Sequence, residues 1–89
     1  MLFRSTMKFR FISDPGHGWL EVPFDLVDRA GVIGAVSGYS YHKGDLLYLE
    51  EDCDAMLFLR ALKKQGVNYE LEEVHQDPTP IRNYPRFRG

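Results

Sequence analysis

The side chains best equipped for chemistry fall in three short runs. The first is Asp14-Pro15-Gly16-His17-Gly18-Trp19. A carboxylate and an imidazole three residues apart could hold a metal ion or move a proton, and Gly16 and Gly18 would let a ligand approach the backbone. Two donors fall short of the three or four protein ligands of a zinc site. A histidine at a hairpin tip is also an ordinary turn residue, so Asp14 and His17 stand as weak ligand-binding candidates and no metal is expected. The same caution covers His42 and His75.

The second run is Glu50-Glu51-Asp52-Cys53-Asp54. A helix N-terminus acidifies a thiol, but the acids around Cys53 oppose a thiolate, and no histidine stands beside it as a base. The expectation is a buried, structural cysteine. The acids lack the spacing and the glycine of a calcium loop and read as helix capping. The third run is Tyr39, Tyr41 and Tyr48. It offers aromatic surface rather than reactivity. No catalytic residue and no cofactor is expected, and the chain reads as non-enzymatic.

The elements that must position these groups follow from periodicity. Residues 7–13 and 19–22 alternate apolar and polar and flank a Pro-Gly turn, which predicts a hairpin. Pro23 ends it and suits the start of a short helix over 24–30. A second hairpin follows, with Lys43-Gly44 as its two-residue turn. That choice sets Tyr41 opposite Leu46 and Tyr39 opposite Tyr48, with Gly38, Ser40, Leu47 and Leu49 on the other face. Asp52 is the expected N-cap of a helix from Cys53 to Gln65. Ala55, Phe58, Leu59 and Leu62 form its apolar stripe, and Gly66 stops it. Residues 67–74 alternate again as a last strand. The predicted fold is a single small α+β domain, ββαββαβ, with a mainly antiparallel sheet and both helices on one face. Its divisions are an N-terminal extension over 1–6, the domain over 7–75 and a Pro-rich extended arm over 76–89.

Two hairpins in one sheet would leave Trp19, Tyr39, Tyr41, Tyr48, Leu46, Lys8 and Arg10 on the face away from the helices. That is a large aromatic area for solvent. Either the arm folds back and fills a second small core with Ile81, Tyr84 and Phe87, or the face binds a partner. Trp19, Tyr39, Tyr41 and Tyr48 would then be contacts, with Arg82 and Arg86 as a charged rim. A base-stacking platform is the third option, disfavoured because Glu21, Glu70 and Glu72 would repel phosphates.

Composition narrows the classes. A net charge of −2 from 11 basic and 13 acidic residues lacks the basic excess of a nucleic-acid binder, so that partner is unlikely on charge grounds. A lone cysteine rules out an intramolecular disulfide and suits a reducing cytoplasm. No apolar run reaches the length of a membrane span. Homodimerisation through Met56 and Leu57, or through a free strand edge, is a further option.

The strings SDPGHGWLEVP at 13–23, GYSYHKGDLLYLEEDCDA at 38–55, FL at 58–59 and PIRNYPRF at 80–87 resemble a group of small proteins encoded by bacteriophages and other mobile elements. The resemblance spans most of residues 8–87 and brings no catalytic residue with it. It implies an accessory protein in a bacterial cytoplasm that binds, and inhibits, a host protein such as a component of a defence system. The alternative reading is a small-ligand, nucleotide or single-stranded nucleic-acid binding module that uses the tyrosine face.

Overall fold

Two antiparallel hairpins and two helical crossovers account for the sheet. The computed structural model describes residues 6–88. In chain order the elements are β1 (Thr6–Ser13), β2 (Gly18–Pro23), α1 (Phe24–Arg29), β3 (Tyr41–Lys43), β4 (Leu46–Glu50), α2 (Asp54–Lys64) and β5 (Asn68–His75). Single 3-10 turns lie at Ile33–Ala35 and Pro80–Asn83. The strand order is β3-β4-β2-β1-β5. The pairs β1–β2, β2–β4 and β3–β4 are antiparallel. The pair β1–β5 is parallel, because β4 runs the same way as β1 and a single helix carries the chain from β4 across to β5. This is the predicted α+β domain. β1 starts at Thr6, one residue inside the expected extension, and residues 1–5 lie outside the described residues.

Both helices pack on one face. Val27 of α1 and Ala55, Phe58, Leu59 and Leu62 of α2 close over Phe9, Leu20, Val22, Leu47 and Leu49 of the strands. The stripe read from helical spacing is therefore the buried one. Phe9 meets Phe58 edge-on at 5.5 Å between ring centroids, a favourable aromatic geometry.

Three local expectations change. The second hairpin turns at Gly44-Asp45, so Tyr41 faces Tyr48 and Lys43 faces Leu46. Gly44 takes φ +58 at the first turn position, which is where a primed turn places its glycine. The pairing moves by two residues, and side chains alternate with period two, so Tyr41, Leu46 and Tyr48 keep the face assigned to them. β3 is also shorter than expected. Residues 37–40 form a turn instead of strand, which leaves Gly38 and Tyr39 outside the sheet. Finally, Asp52 is not the N-cap. Cys53 occupies that position, and Glu50 reaches forward to accept the backbone N–H groups of Asp52 and Cys53.

The back of the sheet carries a second core. Ile12, Trp19 and Tyr48 are buried there by Ile81 of the C-terminal arm, with Tyr84 packed beside them. Ile81 itself is 1% exposed. The arm then rounds the β3 edge. His42 N–H donates to Pro85 O at 2.9 Å and Phe87 N–H donates to Ser40 O at 2.7 Å, a short antiparallel bridge. Phe87 ends in the helix-side core, not in the second core assigned to it from sequence. The arm thus clips two faces together. Ile81→Ala should lower unfolding stability by about 2–4 kcal/mol in urea titration, as for other buried large-to-small changes. Met56→Ala, at an exposed helix position, should stay within about 0.5 kcal/mol.

Candidate functional site

Docking of the arm leaves a cleft of about 490 Å³ between the arm, the β1–β2 turn and the start of α2. Its walls include His17, Trp19, Tyr39, Tyr41, Arg82 and Arg86, so six of the eight side chains singled out from the sequence converge here. Asp14 stands behind them as a support, and Tyr48 lies beneath the arm. A smaller cleft of about 330 Å³ lies beyond the β3 edge, lined by Phe24, Leu47 and Phe87 with His42, Arg86 and Arg88, and apart from Arg86 holds none of the side chains gathered in the first cleft.

Arg82 organises one wall. Its Nε donates to Asp14 Oδ2 at 2.6 Å and a terminal nitrogen donates to Asp14 Oδ1 at 3.0 Å, a forked pair. The same terminal nitrogen lies 2.9 Å from His17 Nδ1. A guanidinium can only donate, so Nδ1 accepts and the ring proton sits on Nε2. Asp14 also accepts from the backbone N–H groups of Gly16 and His17 and so shapes the turn. The Arg82 hydrogen bond holds the Asp14 carboxyl well below the usual carboxylate range, with the two turn amides adding to it. Asp14 and His17 are therefore in contact with an arginine 68 and 65 residues away, respectively, and serve to dock the arm.

Aromatic rings and guanidinium groups alternate across the floor. Arg82 lies over Trp19 at 5.3 Å, and His17 stacks on Trp19 with ring centroids 6.0 Å apart. Trp19 meets Tyr41 edge-on at 6.3 Å, and Arg86 lies over Tyr41 at 5.4 Å. Arg86 also donates to Gly38 O at 3.2 Å. Two expected contacts are now beneath the surface. Trp19 is 2% exposed and Tyr48 5%, so neither offers much area to a partner in this conformation. The Tyr48 hydroxyl donates to Glu21 at 3.0 Å, and burial first, then that hydrogen bond, pushes its pKa well above the usual tyrosine range. Tyr39 is the opposite case, 68% exposed at the rim.

The far wall is built by a network that the sequence did not disclose. The buried Asp54 carboxylate accepts from Ser37 N–H at 3.0 Å, Ser37 Oγ at 2.7 Å and Ser40 Oγ at 2.6 Å. Ser40 Oγ in turn accepts from Glu50 N–H. This ties residues 37–40 to the first turn of α2 and pulls them out of the strand, which sets Tyr39 at the cleft mouth. The only hint in the sequence is a pair of serines three residues apart upstream of a helix-start aspartate.

Cys53, expected to be buried, is exposed and lines the same cleft. Asp54 and Ala55 take the inward positions at the start of α2, so the residue before them faces out. Among the described residues no hydrogen bond joins Cys53 to a histidine, and no three His, Cys, Asp or Glu side chains gather as a metal site. Gly18 does not make room for a ligand either. A Cβ there would come within 2.5 Å of the Phe11 ring, so the space already belongs to the core. No described helix is long and apolar enough to cross a membrane. Comparison with protein-family models, with curated proteins and with solved structures finds no match.

The Asp14 clasp has a pH signature. Its folded pKa lies below the unfolded value near 4, so its contribution is complete above about pH 4 and is lost as pH falls toward the folded value. Between about pH 5 and pH 2 the melting temperature of the wild type should therefore fall more steeply than that of Asp14→Asn, read by circular dichroism. Parallel slopes would contradict the clasp.

Proposed function

We propose that this protein is a non-enzymatic binding module whose cleft receives a segment of another protein. The observation that carries the reading is the convergence of Tyr39, Tyr41, Arg86 and the His17–Arg82 pair on one opening, after the arm has covered the rest of the aromatic face. Tyrosine and arginine dominate the energetics of protein interfaces because each brings large contact area, directional hydrogen bonding and, for arginine, stacking. Here Arg86 already lies over Tyr41 and donates to Gly38 O, so less side-chain freedom is left to lose on binding. The resemblance to phage and mobile-element proteins supplies the setting, a bacterial cytoplasm in which the partner is a host protein such as a defence component and binding inhibits it.

A second reading has one observation in its favour. The cleft volume lies within the range of small-molecule sites, and its aromatic walls suit a planar ligand such as a nucleotide base. A thermal-shift series with nucleotides at millimolar concentration addresses it, and an upward shift that Tyr41→Ala abolishes would favour this reading over a protein partner.

The protein-binding reading is tested by affinity capture from a bacterial lysate, followed by titration of the captured protein in purified form. Tyr39→Ala and Arg86→Ala should each weaken binding by about 10- to 100-fold, in line with interface hot spots. Exposed positions such as these should leave the melting temperature almost unchanged. Unaltered affinity in both variants would place the interface elsewhere.

A further inference from the structure

The two edges of the sheet are treated differently. The β3 edge is three residues long and is closed by the bridge to residues 85–87 of the arm. The β5 edge runs for eight residues, Asn68–His75, and among the described residues no strand pairs with its outer side. A row of unused N–H and C=O groups of this length is a template for another strand unless side chains prevent it. β5 carries Glu70, Glu72 and Glu73 and no lysine or arginine, with Leu71 41% exposed between them.

Those glutamates select against one occupant and for another. A second copy of this chain would add β5 to β5 about a two-fold axis perpendicular to the sheet. Centring that pairing on residue 70, 72 or 73 sets a glutamate against its own copy, and centring it on Leu71 sets Glu70 against Glu72 twice. Like charges directly opposite each other destabilise a pair of strands. The inner edge of β5 shows what it accepts. There β1 presents Lys8-Phe9-Arg10 in register with Glu70-Leu71-Glu72, a basic–apolar–basic triplet beside an acidic–apolar–acidic one. Lys8 and Arg10 stand opposite Glu70 and Glu72 in this register, and Arg10 is ion-paired with Glu21 at 3.7 Å, whereas Glu73, on the other face, stands opposite Phe11.

We infer that the outer edge of β5 is a docking strand for an extended protein segment in which lysine or arginine alternates with apolar residues. Main-chain hydrogen bonds would supply affinity, and the glutamates would set register and sign. This surface lies at the opposite end of the sheet from β3, which walls the cleft, and its use does not depend on the cleft being occupied.

The probe is a blocked ten-residue peptide alternating lysine or arginine with valine, compared with a counterpart in which glutamate replaces every basic residue. Titration calorimetry should show the basic peptide binding at least tenfold more tightly, and residue-resolved amide exchange should slow at alternate positions within Asn68–His75 when it is bound. Glu72→Lys should reduce that affinity about tenfold, and Glu73→Lys, on the opposite face of the strand, should reduce it less. Glu70→Gln with Glu72→Gln adds no cation beside Lys8 or Arg10, so it remains informative if Glu72→Lys disturbs the fold, and it too should weaken the basic peptide. No binding, equal binding of the acidic peptide, or binding without slowed exchange in β5 would each overturn the proposal. Slowed β5 exchange in the protein alone that grows with its concentration would assign the edge to a second copy instead, and would also overturn it.

Discussion

The structure depends on the contact between Ile81-Arg82 and the back of the sheet. Two helices suffice to cover one face of a five-stranded sheet, and here both lie on the same side. The other face carries Ile12, Trp19, Tyr41 and Tyr48, an area that a protein of this size cannot leave in water without a tendency to associate. A segment with hardly any regular structure has to cover it. Ile81 does so by burial, and Arg82 fixes the position by forking onto Asp14 and lying across Trp19. The burial supplies most of the energy, since a partly exposed ion pair contributes little, while the fork supplies the register.

The cleft is a by-product of that docking. Its floor is the part of the aromatic face the arm does not reach, and its two walls come from independent devices. One is the His17 turn, held by Asp14 and Arg82. The other is the 37–40 turn, held to α2 by the Asp54 carboxylate. Three hydrogen bonds converge on one oxygen of the Asp54 carboxylate, and Ser40 Oγ also accepts from Glu50 N–H, so the turn is held to the helix start at several points. Tyr39 is thus exposed but anchored through its neighbours, and Arg86 is restrained by Tyr41 and Gly38 O.

Much of this was legible from local pattern. Period two located the strands and period 3.6 gave the buried stripe of α2, because each pattern follows from backbone geometry. The face assignment of Tyr41 and Tyr48 survived an error in the turn, since a shift of two residues preserves side-chain direction. What local pattern could not supply was long-range polar pairing. The partners of Asp14 and Asp54 are not spaced in any way that a helix or strand would reveal, and both aspartates also make sense as turn or capping residues. Cys53 was misplaced for the same reason. The acids around it and the lack of a neighbouring histidine argued for a buried structural thiol, whereas the geometry of a helix start, with Asp54 drawn inward by two serines, turned the thiol outward. The arm was the other blind spot. Prolines correctly excluded helix and central strand, but they do not say which side of the sheet a docked segment will take, and Phe87 reaches the front core only because the chain rounds the short β3 edge.

Amide hydrogen exchange at His42 and Phe87 tests the docked arm most directly. Both N–H groups are bonded across the arm bridge, to Pro85 O and Ser40 O. With the arm docked as described, both should exchange orders of magnitude more slowly than a free amide and should open together. If both exchange at the free-chain rate while the amides of β1, β2 and β4 stay protected, the arm does not close the back face, and the cleft built on it does not exist.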